Sequence, residues 1–129
     1  MRPMIAIVDD NDDNRLLLRA MLEDRCGIVE YESGPAALDG LAQAVPDLVL
    51  LDISLPHMDG VQVLGRIRAD ERLRGLPVLA LTAHAMAGDR EKYLAAGFDG
   101  YIAKPIVDEQ VVVDAIRDHV KGRKAVPAA

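Results

Sequence analysis

The sequence predicts an α/β fold, a doubly wound parallel sheet with helices on both faces. Short, wholly apolar runs recur along the chain, and segments of helix length and helical period separate them. A polar residue of a specific type closes each run. Strand followed by helix, five times over at this spacing, is the pattern of a parallel sheet under covering helices. Strand twist then makes the crossovers right-handed.

The first strand is Ile5 to Val8, apolar throughout and so buried on both faces. In the first helix Leu17 pairs with Met21 and Leu18 with Leu22, at i, i+4. The second strand, Ile28-Val29-Glu30-Tyr31-Glu32, partly alternates apolar with acidic residues, which suits an edge strand with one wetter face. Ser33-Gly34-Pro35 starts the second helix, with Pro at the first helical position. Leu38, Leu41, Ala42 and Val45 then share one helical face.

The third and fourth strands are Leu48 to Leu51 and Val78 to Leu81. Val63, Leu64 and Ile67 mark the helix between them. The fourth helix runs from Met86 to Ala96 and stops at Gly97, a left-handed cap. Tyr101 to Ala103 is the last strand. Val111-Val112-Val113 is a weak helix former, yet Val112, Ala115, Ile116 and Val120 keep helical spacing, so a fifth helix is expected there. The residues after Lys121 have no apolar period, which gives one domain over 1–121 and a frayed tail over 122–129. No linker, repeat or low-complexity block interrupts this order.

Composition narrows the function classes. The 129 residues are a one-domain length, and 50% are hydrophobic, enough for one core. No apolar stretch nears the roughly 18 residues of a membrane span, and the N-terminal apolar stretch is too short for a signal-peptide core. Fifteen basic against 21 acidic residues give a net charge of −6. Sequence-independent binding to nucleic acid or anionic lipid needs clustered Lys and Arg, so neither a nucleic-acid nor a membrane partner is expected. Three Tyr, one Phe and no Trp make poor base-stacking platforms. Cys26 is the single cysteine, which excludes an internal disulfide and a multi-Cys zinc site and suits a reducing cytoplasm. It is expected as a small buried hydrophobe.

In open parallel sheets, ligands bind beyond the carboxyl ends of the strands. Asp9 and Asp10 follow the first run, Asp52 the third, Thr82 the fourth, and Lys104 and Pro105 the fifth. Each alone has an ordinary explanation: Asp and Asn cap helices, Thr favours strands, and Lys is usually solvated. Together they predict three carboxylates, a hydroxyl and an ammonium on one rim. Two carboxylates about 4 Å apart repel by about 4 kcal/mol at an effective dielectric near 20. Three need a cation or shifted pKa values, and hard oxygen donors favour Mg2+ over zinc. Beside a divalent cation, one carboxylate can attack phosphorus and form an aspartyl phosphate, whose oxygens a Lys and a hydroxyl would stabilise.

Four segments carry a resemblance: Ile7-Val8-Asp9-Asp10-Asn11, Asp52-Ile53-Ser54-Leu55-Pro56-His57-Met58-Asp59-Gly60, Leu81-Thr82-Ala83, and Tyr101-Ile102-Ala103-Lys104-Pro105. In this order and spacing, the chain resembles a response-regulator receiver domain of two-component signalling, from about Pro3 to Lys121. The resemblance implies a flavodoxin-like sheet in the order 2-1-3-4-5, the order known for the chemotaxis receiver, with five helices. It implies that Asp52 accepts a phosphoryl group from a phosphohistidine. Asp9, Asp10, Asp52 and the backbone carbonyl of Ser54 would hold Mg2+, and Lys104 would pair with Asp52 or its phosphate. Thr82 would bond a phosphoryl oxygen, and the rotamer of Tyr101 would report the state of Thr82. Ser54 and His84 would tune phosphoryl lifetime, and the Lys104–Pro105 bond would be cis. His57 and His119 have no metal-ligand spacing.

The implied partners are a sensor histidine kinase or a histidine phosphotransfer protein, and a downstream protein target. A phosphorelay intermediate that passes phosphate onward to a histidine phosphotransfer protein is the alternative. The chain is expected to be a phosphoacceptor module and not an enzyme, with self-phosphorylation and self-dephosphorylation its sole activities. No output domain is expected after Lys121. The segments around Ala83-His84-Ala85-Met86 and from Gly97 to Pro105 are similar to receivers of hybrid kinases and to stand-alone regulators of the DivK kind. Three other classes fit less well. A haloacid-dehalogenase-like phosphatase carries its nucleophile on the first strand in an Asp-x-Asp pattern completed by a small hydroxyl residue, and no such residue follows in Asp9-Asp10-Asn11-Asp12. A flavodoxin-like electron carrier needs a loop that accepts a flavin phosphate, which the acidic Asp9 to Asp13 loop would repel. A purely structural interaction domain would not respond to magnesium.

Overall fold

The computed structural model describes residues 2–83, 89–106 and 108–120. Five strands alternate with five helices among them. The strands are β1 (Met4–Val8), β2 (Gly27–Tyr31), β3 (Leu48–Asp52), β4 (Val78–Thr82) and β5 (Gly100–Ala103). The helices are α1 (Asp12–Leu22), α2 (Gly34–Gln43), α3 (Gly60–Ala69), α4 (Asp89–Ala96) and α5 (Glu109–His119). The strands form one parallel sheet in the order β2-β1-β3-β4-β5.

Alternation along each strand divides the core in two. Ala6, Val8, Val49, Leu51, Val78 and Ala80 face α2, α3 and α4, where Leu41, Leu64, Ile67 and Tyr93 meet them. Ile5, Ile7, Leu48, Leu50, Leu79 and Leu81 face α1 and α5, against Leu18, Leu22, Val112 and Ile116. The apolar runs are continuous because both faces are covered. Truncating a fully buried side chain such as Leu50 to Ala costs about 2–5 kcal/mol. The β2 residues are all half-buried, as an edge position requires. Cys26 is buried.

Helix ends follow local chemistry. Asn11 caps α1 by accepting from the Asn14 amide, and Ser33 caps α2 through the Ala36 amide. Asp59 and Gln62 form a reciprocal capping box at α3. Gly97 follows α4 with φ +114°, a conformation that glycine adopts without a Cβ clash.

Two sequence expectations are corrected. Gly34 is the first residue of α2, so Pro35 takes the second position. Val45 is exposed and lies beyond the helix, which ends at Gln43. Pro46 follows Val45, and a residue before proline is pushed out of helical geometry. The inward stripe of α2 is Gly34, Ala37 and Leu41 instead. The first three residues expected in the fourth helix, 86–88, lie outside the described residues, as does the tail expected over 122–129.

At the entry end of the sheet, Arg68 ties several loops together. Its guanidinium donates to the carbonyls of Arg74, Leu76 and Gly97 at 2.9, 2.6 and 2.8 Å, and to Asp99 at 2.9 Å. Asp99 also accepts from the Val78 amide at 2.8 Å. The opposite end, where the strands finish, holds the polar residues.

Candidate functional site

Strand register assembles the site. Val8 pairs with Leu51, so the next residues, Asp9 and Asp52, emerge side by side. Asp52 pairs with Leu81, one step before Thr82, and Thr82 pairs with Ala103, one step before Lys104. Four strands thus deliver their last polar residues to one rim. One oxygen from each of Asp9, Asp10 and Asp52 lies within 4.8 Å of the others. Asp9 and Asp52 are buried and Asp10 is exposed.

Each carboxylate oxygen of the inner pair has a partner. Asp52 Oδ1 accepts from the Ser54 amide at 2.9 Å, and Oδ2 from Lys104 Nζ at 2.8 Å. Lys104 Nζ also lies 3.2 Å from Asp9 Oδ2. Asp9 Oδ1 accepts from the Asn11 amide at 2.9 Å, and Arg15 donates to the Asp9 carbonyl at 2.6 Å. Arg15 in turn pairs with Glu30 at 3.2 Å, which anchors the loop after β1 to β2. The Lys104–Pro105 peptide bond is cis.

The electrostatics follow from burial. Loss of water raises the Asp9 pKa above the usual 3.8, and the nearby Asp52 charge adds to the rise. The Asn11 amide and the Lys104 ammonium offset part of it. Burial alone would lower the Lys104 pKa. The bond to Asp52 and the charges of Asp9 and Asp52 outweigh it and hold Lys104 above its usual 10.5. Three carboxylates and one ammonium leave an excess of negative charge at the rim. With an all-oxygen donor set and one side open to water, the residues present fit a hard divalent cation such as Mg2+.

Thr82 ends β4 and is buried, and its hydroxyl lies 2.8 Å from the hydroxyl of Tyr93 on α4. Tyr101 is half-buried on β5, with its ring 6.2 Å from that of Tyr93. Ser54 is exposed beside Asp52. His84 lies outside the described residues. His57 is exposed, at φ 66° in the turn before α3, and His119 Nδ1 meets the Ala115 carbonyl at 2.7 Å. Neither belongs to the acidic cluster.

Sequence reasoning passed over Tyr93. Its neighbours Arg90, Glu91 and Lys92 are charged, so no apolar stripe marked its face as inward. A lone aromatic in a polar helix was a signal of burial at this position, though not of its partner.

Among the described residues, no helix is long and apolar enough to cross a membrane. The response regulator receiver domain family matches residues 5–117. The sensor protein GacS of Pseudomonas syringae pv. syringae is 44% identical over 113 residues, covering 84% of this chain. The chain spans 12% of the length of that sensor protein. The polar-differentiation response regulator DivK of Brucella ovis is 41% identical over 107 residues, covering 82% of this chain and 87% of DivK. The receiver domain of a sensor histidine kinase from Pseudomonas aeruginosa PAO1, solved with a magnesium ion coordinated in its active-site cleft, superposes with a TM-score of 0.84. That domain is 32% identical, and the match covers 93% of this chain and 98% of the solved one.

Proposed function

Since this chain belongs to the response regulator receiver family, we propose that it takes a phosphoryl group from a phosphohistidine onto Asp52 and relays the signal by changing its protein contacts. The observation that carries this reading is the Lys104 ammonium against Asp52 and Asp9, at 2.8 and 3.2 Å, two members of a cluster of three carboxylates.

Asp52 is the acceptor. Bonds from Ser54 and Lys104 to its two oxygens fix the plane of its carboxylate, so little ordering is left for the moment of attack. A carboxylate oxygen forms the new bond to phosphorus as the phosphorus–nitrogen bond of the donor histidine breaks. The bonding pair returns to the imidazole nitrogen. Lys104 then faces the phosphoryl oxygens, where charge is spread in a loose transition state. Asp9, Asp10, Asp52 and the Ser54 carbonyl would hold Mg2+, which supplies further positive charge to the transferring group. The magnesium in the Pseudomonas aeruginosa receiver supports that choice of ion.

Thr82 serves as the sensor, donating its hydroxyl to a phosphoryl oxygen, and Tyr101 follows its movement. A hydrogen bond to a charged group contributes about 1.5–3 kcal/mol. Moving a population from mostly inactive to mostly active takes about 5.5 kcal/mol, so this bond supplies part of the shift. Ser54 and His84 would set how long the acyl phosphate survives water. The partners would be a histidine kinase or a histidine phosphotransfer protein and a downstream protein, in the cytoplasm. The module's own chemistry would be limited to gaining and losing its phosphoryl group, and its domain would occupy residues 1–121.

Incubation with a phosphohistidine donor and Mg2+ tests the reading. The chain should acquire an acid-labile, hydroxylamine-sensitive label, and Asp52→Asn should abolish it. Undiminished labelling of Asp52→Asn would refute the role of Asp52.

A further inference from the structure

The proposed transfer does not use the contact between Thr82 and Tyr93. Thr82 is 2% exposed and Tyr93 4%, and their hydroxyl oxygens are 2.8 Å apart. Packing fixes the Tyr93 ring independently of that bond. Phe98 meets it edge-on at 6.3 Å and 90°, and Tyr101 leans against it at 6.2 Å and 46°. Phenylalanine could fill the same space, so the hydroxyl calls for its own explanation.

We infer that the Tyr93 hydroxyl is a resting-state hold on Thr82, a positioning group that competes with the phosphoryl oxygen for the threonine. The inference rests on the phosphoacceptor reading and adds regulation to it. A threonine hydroxyl has one proton to donate. If Thr82 donates to Tyr93, turning to a phosphoryl oxygen costs that bond. If Tyr93 donates, the movement of Thr82 toward the phosphoryl group in the proposed switch carries its oxygen out of a 2.8 Å contact. In both cases the contact belongs to the resting arrangement and opposes the active one.

A buried neutral hydrogen bond of this kind shifts the equilibrium by about three- to tenfold. The test measures the affinity of the full chain for beryllofluoride, a phosphoryl mimic, by calorimetry in Mg2+. Wild type, Tyr93→Phe, Thr82→Ala and the double variant are compared. Tyr93→Phe should bind beryllofluoride about three- to tenfold more tightly than wild type. In the Thr82→Ala background the same substitution should change nothing.

Equal or weaker binding by Tyr93→Phe overturns the hold, and so does a gain that persists without Thr82. A Tyr93→Phe protein that melts far below wild type assigns the hydroxyl to structure and also overturns it. The underlying reading fails separately, when wild type does not bind beryllofluoride or Asp52→Asn binds it equally well. The hold then falls with that reading. Binding by wild type with no effect of Tyr93→Phe removes the hold alone.

Discussion

Lys104 Nζ lies 2.8 Å from Asp52 Oδ2 across 52 residues of sequence, and the same ammonium stands 3.2 Å from Asp9. It pairs with two of the three acids in the cluster, Asp9 and Asp52. Lys104→Met removes that charge without adding a polar group. Phosphotransfer to Asp52 should slow by about 100-fold, the usual cost of losing one charge-stabilising donor. Magnesium should bind more tightly, since one positive charge beside its ligands is gone. Parallel measurement of transfer rate and Mg2+ affinity checks both signs, and weaker Mg2+ binding would contradict the electrostatic account.

Asp9 gives the site its pH dependence. Its folded pKa is raised above 3.8, so the folded protein holds that proton more tightly than the unfolded chain does. The stability contributed by protonated Asp9 is therefore fully present below pH 3.8 and is lost as pH rises through the raised folded value. At neutral pH and without metal, ionised Asp9 costs stability. In EDTA at pH 7, Asp9→Asn should melt higher than wild type by about 3–6 °C, or roughly 1 kcal/mol. The gap should close on acidification. In the wild type, protons should compete with Mg2+ from a pH above the ordinary carboxylate range, and excess EDTA should stop phosphotransfer. Calorimetric scans at several pH values test the first pair of claims.

Thr82→Ala separates chemistry from signalling. The acceptor and its cation-binding partners are untouched, so phosphate incorporation should stay within about threefold of wild type, a change of under 1 kcal/mol in the barrier. The sensing bond, about 1.5–3 kcal/mol, disappears. Discrimination of a partner between the phosphorylated and free forms should fall by about tenfold or more. Binding assays with both forms read this directly, and full discrimination would reject Thr82 as the sensor.

Gly60 is packed against the backbone that follows the acceptor. Its amide donates to the Ile53 carbonyl at 3.0 Å. A Cβ added there would stand 2.8 Å from Ile53 Cα and closer still to the Asp52 carbonyl oxygen. Backbone cannot step aside as a flexible side chain can. Gly60→Ala should destabilise the fold by about 1–3 kcal/mol through overpacking. Because the strain falls on Asp52, it should also slow phosphotransfer. Denaturant titration and transfer kinetics on the same protein check the two effects together.

The strands were legible because a parallel sheet covered on both faces needs uninterrupted apolar runs, and Ile5, Leu48 and Val78 begin such runs. The residues closing them could be read as one rim for the same reason, since register converts chain order into neighbourhood. Helix faces were less legible. Leu16 and Leu17 are exposed on α1, while Leu18 and Leu22 are buried. The apolar pattern does not mark which of these leucines turns inward. Val45 shares a helical period with Leu38 and Leu41 but is cut off by Pro46. Tyr93 was invisible as a neighbour of Thr82, because a contact between a strand end and a helix depends on how that helix is rotated. No spacing in the chain encodes that rotation.

The Arg68 fastening has a mechanical corollary. It joins Leu76, Gly97 and Asp99, and through Asp99 the Val78 amide, so β4 and β5 are clamped where they begin. Thr82 and Lys104 stand where those strands end. Arg68 thus fixes the two strands at the end remote from the site, while ladder pairing with β3 and with each other holds the length in between.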